Sequence, residues 1–462
     1  MEKLISTNPG KNYEVIGEVD VTTGEEIKKI FIDAKNAKLS WKETSISKRI
    51  SLLRPICESF KKIRSELALT TCKEIGKPIT SALEGIDSGV SYFEDFMNDA
   101  SEYLEDEISY DVKGLKHRIV FEPLGVVAVI VPWNFPFESF VSSVIPNLIV
   151  GNTVIFKISE ECPLVGKLMG EIMDEHNLPK GVFRQIYGNG SVGAKLLEEE
   201  VDFISFTGST KLGQEIYKIS SEKFIRNSLE LGGSNPGIVF EDVELNDELI
   251  SRIAFRRFDN CGQYCDGVKR LIVHESIFDE LVEKLKNYIE ENIIVGDPED
   301  INTNIGSLVA KRQQILLESQ IEDALNKGAT LITGGIVPKK PSGAYFLPTI
   351  LTNINKGMRV WHEEVFGPAL PIVKFKTEEE AINLANDTIY GLGGEVYSED
   401  IIRCKRVASK IEAGTIGINF ADVWSSSTPF GGYKKSGIGR GLGKYGFREL
   451  CQIKVVAEYI DE

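Results

Sequence analysis

Histidine is scarce in this 462-residue chain: His117, His176, His274 and His362 are the four present, and they are scattered. Cys57, Cys72, Cys162, Cys261, Cys265, Cys404 and Cys451 are an odd set of seven without framework spacing, and only Cys261 and Cys265 lie close together. A zinc site needs Cys or His pairs at short repeated spacing, so no metal is expected. Unframed thiols read as reduced, in a cytoplasm. Positive charge is in deficit, since 53 Lys and Arg against 69 Asp and Glu leave a net charge of −16. Phosphate backbones and anionic lipid surfaces call for a basic face, so neither a nucleic acid nor a membrane is an expected partner. No run of about 18 apolar residues exists to cross a bilayer. The polar start of the chain lacks the apolar core of a secretion signal.

What is present is an ordinary globular composition, 42% hydrophobic and 26% charged, in a chain long enough for about three domain-sized units. Residues 23–104 carry helical apolar spacing, as at Ile50, Leu53, Ile56 and Phe60. Strand-like runs then alternate with helices: Val126–Val131, a helix over 137–149, Thr153–Lys157, a helix opening at Pro163, Val182–Tyr187, a helix over 192–199, and Phe203–Phe206. A second alternating series starts near Gly237 and includes the helix 278–291, with its stripe Phe278, Leu281, Leu285 and Ile289. Such alternation predicts an α/β fold with parallel sheets covered on both faces. The alternating run Ile453–Ile460 reads as a terminal strand without a nearby partner, so a homo-oligomer, dimer or tetramer, is expected.

Three segments carry residue types suited to acyl chemistry. In Asn260-Cys-Gly-Gln-Tyr-Cys265 the last cysteine could offer a thiolate, the best side-chain nucleophile once its pKa falls; a buried inert thiol is an equal alternative. In Leu229-Glu-Leu-Gly-Gly-Ser-Asn-Pro236, Glu230 is a lone carboxylate among apolar groups, where a raised pKa would suit a base for water. A solvent-facing strand-end acid is the better reading of that segment alone. In Val131-Pro-Trp-Asn-Phe-Pro-Phe137, the amide of Asn134 could face a developing oxyanion, or simply cap the next helix. Together they are the set needed to form and hydrolyse a thioester.

With these residues in place the chain resembles the aldehyde dehydrogenase superfamily over essentially its whole length. Seven motifs stand in that family's order: Pro-Trp-Asn-Phe-Pro (132–136), Lys157 at its strand end, Phe-Thr-Gly-Ser-Thr (206–210), Leu-Glu-Leu-Gly-Gly (229–233), Gly-Gln-Tyr-Cys (262–265), Glu-Glu-Val-Phe-Gly-Pro (363–368) and Pro-Phe-Gly-Gly-Tyr-Lys (429–434). The resemblance implies a Rossmann-like NAD-binding domain (1–104 and 124–232), an α/β catalytic domain (233–434) and a small oligomerisation β-element (105–123 and 435–462). It implies that Cys265 attacks an aldehyde, that Asn134 holds the oxyanion, and that Glu230 activates the second substrate, water, giving a free acid.

For the cofactor, the resemblance places NAD against Val131, Pro132, Trp133, Lys157, Ser159, Glu160, Gly208, Ser209, Leu231, Glu364 and Phe366. The turn 208–213 lacks the G-x-G-x-x-G spacing but can still offer amides to a pyrophosphate. Glu160 would accept from a ribose 2′-hydroxyl and repel a 2′-phosphate, which favours NAD over NADP. The expected substrate pocket comprises Phe137, Ser142, Phe258, Asp259 and Ser425. Ser234-Asn-Pro, Lys269-Arg270 and Arg448-Glu-Leu-Cys are closest to the succinate-semialdehyde branch. That branch, however, holds its distal carboxylate with arginines where this chain has Ser142 and Asp259; Arg256 and Arg257 are the possible substitutes. A small aliphatic aldehyde or semialdehyde is expected, with a hydroxyaldehyde of lactaldehyde or glyceraldehyde type as the alternative. A catalytically silent structural relative could dispense with Cys265, Glu230 or Asn134, and a cofactor-free thiol hydrolase would leave Lys157, Glu160 and Glu364 without a purpose.

Overall fold

The computed structural model describes residues 2–459; the last residues of the expected terminal strand and of the 435–462 stretch, 460–462, lie outside the described residues. Four helices open the chain after a β-hairpin: Gly24–Glu43, Ile46–Lys62, Arg64–Ile75 and Ile79–Tyr103. The first begins at a capping box, with Thr23 Oγ1 accepting from the Glu26 amide while the Glu26 carboxylate accepts from the Thr23 amide. Reciprocal capping satisfies two amides that a helix start leaves unpaired. The fourth buries Ile86, Phe93, Phe96 and Ala100, a stripe at helical period that packs the helix onto Pro136–Val150.

Two parallel sheets follow. The first runs, in spatial order, Arg226–Glu230, Phe203–Thr207, Val126–Ile130, Thr153–Lys157 and Phe183–Ile186, with the short strand Gly437–Ile438 added antiparallel at the Glu230 edge. Val127, Val129, Val154 and Phe156 on one face, and Val126, Ala128 and Ile155 on the other, enter separate cores, so both faces are covered. The second sheet orders Thr330–Thr333, Thr349–Thr352, Ala369–Phe375, Val268–His274, Asn235–Val239, Gly393–Tyr397 and Thr415–Ile418. The expected helical stripe Phe278, Leu281, Leu285 and Ile289 is buried on that sheet's core side.

The third sheet pairs Cys451–Tyr459 with Leu115–Pro123 and that strand with Glu107–Val112, all antiparallel. Only the end of the 435–462 stretch belongs to it. Gly437 and Ile438 pair with Glu230 and Leu229, and Phe447 of the helix Gly443–Glu449 lies edge-on to Phe96 at 5.6 Å. Residues 437–449 thus complete the first domain, where the Gly-rich pattern gave no sign of which neighbour it would choose.

Arg49 locks the helix Pro136–Val150, which follows Asn134. It is buried, and donates to the carbonyls of Ile149 (2.7 Å), Val150 (3.1 Å), Trp41 (3.2 Å), Lys42 (3.3 Å) and Thr44. These carbonyls lie at the C-terminal ends of two helices, whose dipoles favour a cation there. Replacing Arg49 by Met keeps the stem and strands the carbonyls. A loss of about 3 kcal/mol is expected, read as a fall of several degrees in Tm by calorimetry.

Candidate active site

The carboxyl ends of the first sheet lie level, because Ile130 pairs with both Lys157 and Phe206, and Thr207 with Glu230. Asn134, Lys157, Gly208, Ser209 and Glu230 are therefore gathered along one edge, the place where open α/β sheets bind ligands. From Glu230 the chain needs only residues 231–234 to reach Asn235, the first residue of the second sheet's strand. The two sheets meet end to end across that short link. Cys265 stands at the junction: Asn235 Nδ2 donates to its carbonyl at 2.7 Å and to that of Gly267 at 2.9 Å.

A left-handed turn presents the cysteine. Asn260 (φ 46°) and Cys261 (φ 56°) both take the αL conformation, followed by Gly262 at 68°. Non-glycine residues pay of order 1 kcal/mol each for this, so surrounding bonds must hold them. Asn260 Nδ2 donates to the Asn134 carbonyl at 3.1 Å, and Gln263 Nε2 to the Asn260 carbonyl at 3.2 Å. Gln263 Oε1 accepts from the Val309 amide at 2.9 Å. Asn134 Nδ2 in turn donates to the Gln263 carbonyl at 3.0 Å. An amide nitrogen has two hydrogens, so one fixes Asn134 to the cysteine loop and the other is left for a substrate oxygen. Cys261 is fully buried, as a small filler of the turn.

The surroundings of Cys265 and Glu230 disfavour the charged form of both. Burial pushes the Cys265 thiol up, Asp266, Glu364 and Glu230 add to this, and only Lys269 opposes it. Glu230 is also raised well above the carboxylate range by burial, with Arg440 opposing. Both its carboxylate oxygens are sealed from solvent and have no hydrogen-bond partner. Lys269 is fully buried, brought down to about 8 by burial, with Nζ 3.5 Å from Glu364 Oε1 and 4.6 Å from the Phe366 ring centroid.

The remaining cofactor candidates surround this junction. Lys157 is buried, its Nζ donates only to the neighbouring Ile158 carbonyl (3.1 Å), and Glu160 Oε2 lies 3.9 Å away. A buried ammonium with spare donors beside a carboxylate fits a ribose diol. Glu364 Oε1 accepts from the Gly233 amide at 3.1 Å, leaving Oε2 for a second hydroxyl. Phe366 meets Trp133 edge-on at 5.7 Å. The Val131 amide donates to the Lys157 carbonyl, with Pro132 next in the chain; the Leu231 amide donates to the Ser436 carbonyl, and that of Gly208 to the Glu230 carbonyl. Two hydroxyls serve their own loops: Ser209 Oγ caps the helix Thr210–Lys223, and Ser159 Oγ accepts from the Glu161 amide.

The expected tail pocket divides. Phe137 and Phe258 do not line it. Phe137 packs against Phe60 at 5.0 Å in the first core, and Phe258 lies in the second. Sequence reading took their aromatic character for a lining when it was core patterning. Ser142 bonds its own helix at Ser139, and Ser425 bonds Ser427. Asp259 accepts from Ser81 at 3.1 Å. Nor are the two arginines free to hold a carboxylate: Arg256 is paired with Glu395 and with Asp266 (3.3 Å), and Arg257 is spent on the carbonyls of Val365, Gly367 and Ala369.

The structure instead assembles acids that sequence reading missed. Asp266 follows the nucleophile and accepts from Trp424 Nε1 at 2.6 Å; Asp95 accepts from Ser426 at 2.6 Å. Burial first, then Asp422, Asp95 and Asp266, raise the Tyr92 phenol to about 12. Trp424 stacks on Phe430 with centroids 4.4 Å apart. These residues come from three separate segments, the helix Ile79–Tyr103, the turn after Cys265 and the loop 419–430, so no local signal marked them.

The aldehyde dehydrogenase family model matches residues 2–456. The chain is 38% identical to aminoaldehyde dehydrogenase 1, peroxisomal, of Pisum sativum, over all of this chain and 93% of that protein. It is 35% identical to the betaine aldehyde dehydrogenase of Bacillus subtilis (strain 168), covering 96% and 92%. Among solved structures, betaine aldehyde dehydrogenase from Staphylococcus aureus in complex with NAD+ superposes with a TM-score of 0.93 at 34% identity, covering 99% of this chain and 91% of that one. An E. coli NADP dependent enzyme superposes at 0.95 with 32% identity, covering 99% and 95%. The relatives named by substrate are aminoaldehyde and betaine aldehyde dehydrogenases rather than succinate-semialdehyde enzymes, unlike the branch suggested by the local motifs. With the family model matching residues 2–456 and relatives 35–38% identical over nearly its whole length, the chain belongs to the aldehyde dehydrogenase family.

Proposed function

We propose that the chain oxidises an aldehyde bearing a cationic tail, an amino- or quaternary-ammonium aldehyde, to its free acid with NAD+. The observation that carries the substrate class is the loop 424–426 fastened to two acids beside the nucleophile: Asp266, next to Cys265, accepts from the Trp424 indole at 2.6 Å, and Asp95 accepts from Ser426 at 2.6 Å. Carboxylates and aromatic faces attract an ammonium and repel a carboxylate. The relatives named for aminoaldehydes and betaine aldehyde agree with it.

Cys265 adds through sulfur to the aldehyde carbon, and its proton leaves to a base, giving a thiohemiacetal. The free N–H of Asn134 stabilises the oxyanion. Trp133, Phe366 and Glu364 would hold the nicotinamide, which when bound would supply the hydride acceptor needed to convert the adduct to a Cys265 thioester. Glu230, once ionised, takes a proton from water as the oxygen attacks the thioester; the C–S bond breaks and the thiol re-forms. Lys157 and Glu160 hold the second ribose, and Glu160 repels a 2′-phosphate.

In the assembly, the outer strand Cys451–Tyr459 has one free edge and exposes Ile453, Val455 and Tyr459. A second copy of the chain is the partner that would cover them.

NADH formation at the nicotinamide absorbance is expected with aminoaldehydes and betaine aldehyde, at kcat/KM at least about tenfold above succinate semialdehyde, a difference of about 1.4 kcal/mol. Cys265→Ala should abolish it. Asp95→Asn should lower the selectivity for a cationic over a neutral aldehyde about tenfold; an unchanged ratio would remove the acid cluster from recognition. NADP+ should give a kcat/KM well below that of NAD+, and Glu160→Ala should narrow the gap.

A further inference from the structure

Glu230 has an unexplained neighbour. Its two carboxylate oxygens are buried and unpartnered, a state that costs heavily for a charged group. Across the cleft wall, the loop following Phe430 carries Arg440. Of its guanidinium only Nη1 is bonded, to the carbonyls of Gly432 (3.3 Å) and Gly439 (2.6 Å). Among the described residues no carboxylate lies within ion-pair distance of it. Gly431 lies against both. A side chain built there would begin 2.8 Å from Arg440 Cδ, 2.9 Å from Glu230 Oε1 and 2.9 Å from the Gly439 carbonyl, at a backbone φ of 155°. A glycine is what leaves room for the Arg440 stem beside the orphaned acid. The antiparallel pairing of Gly437 with Glu230 fixes the register of that loop on the acid's own strand.

We propose that Arg440 is a positioning residue for Glu230, the counter-charge beside Gly431 that allows this buried acid to ionise for thioester hydrolysis. The inference rests on the hydrolytic role given to Glu230 above. The other charged groups facing the acid do not provide that charge. Cys265 is neutral or, once ionised, negative; behind it stand Asp266 and Glu364; and Lys269 is engaged with Glu364. Burial and Arg440 are the opposing influences on Glu230 itself. Removing the guanidinium therefore raises the pH at which the carboxylate form appears. The step affected is the one in which Glu230 takes a proton from water. Sulfur addition to the aldehyde and transfer to the cofactor do not use the ionised acid.

The test is stopped-flow and steady-state NADH formation by the NAD+-loaded enzyme across pH, for Arg440→Gln, Arg440→Met and Arg440→Lys. For either neutral variant the acid limb of kcat is expected to move up by about one pH unit, as loss of an adjacent opposite charge does. The pre-steady-state NADH burst should persist, or grow, as hydrolysis slows. Arg440→Lys should return the limb towards that of the parent. Met keeps the apolar stem beside Gly431, so that one neutral variant remains folded if Gln does not. An unmoved acid limb in a folded neutral variant, or burst and steady state falling together without rescue by Lys, would overturn the proposal. Glu230→Gln separates the two readings. If it leaves turnover intact, the hydrolytic role of Glu230 fails; if it retains the burst and stops turnover while the Arg440 variants leave the limb in place, only the role of Arg440 fails.

Discussion

Everything at the site depends on two parallel sheets meeting end to end across four residues. Because Glu230 closes a strand of the first sheet and Asn235 opens a strand of the second, the carboxyl edge of one faces the amino edge of the other. An edge of parallel strands is where backbone ends, helix starts and loops can approach a ligand without disturbing the ladder behind them. Register then does the rest. With Ile130 opposite Lys157 and Phe206, and Thr207 opposite Glu230, residues nearly a hundred positions apart become neighbours. Asn235 then ties the cysteine loop to the same junction through the Cys265 carbonyl.

This arrangement explains which parts of the fold were legible in the sequence. Strand–helix alternation over 126–207 and the stripe of the helix Phe278–Asn292 are local patterns, set by the periods of the elements themselves, and they appear where expected. Cys265, Glu230 and Asn134 were legible only as a set, because each segment alone reads at least as well as an inert thiol, a strand-end acid or a helix cap. Phe137 and Phe258 misled for the converse reason: an aromatic on an apolar helix face reads the same whether it fills a core or lines a tunnel. Residues 437–449 could not be placed, since a Gly-rich stretch has no periodicity and its choice of partner strand is a tertiary decision. Asp95, Asp266 and Asp422 were invisible singly. A charge cluster assembled from three distant segments exists only after folding.

The burial that makes the site dry also opposes its chemistry. Burial disfavours the charged form of both the half-buried Cys265 thiol and the Glu230 carboxyl, and at Cys265 the neighbouring charges, Asp266, Glu364 and Glu230, reinforce that preference against Lys269 alone. Such a site does not hold a standing thiolate that would oxidise or react at random. It holds a thiol whose ionisation waits for added positive charge.

The proposed substrate and cofactor both bring that charge. A nicotinamide ring in its oxidised form is cationic, and so is an ammonium-tailed aldehyde held between Trp424 and the acids around Tyr92. Each would arrive within reach of a nucleophile whose environment carries more negative than positive groups. The electrostatics that select the tail would then also gate the sulfur: a substrate of the wrong charge fails to be held and fails to stabilise the thiolate it needs. On this argument the excess of acids near Cys265 is not a handicap that catalysis tolerates. It couples recognition at one end of the substrate to activation at the other, and it leaves Glu230, on the far side of the junction, to depend on a counter-charge of its own.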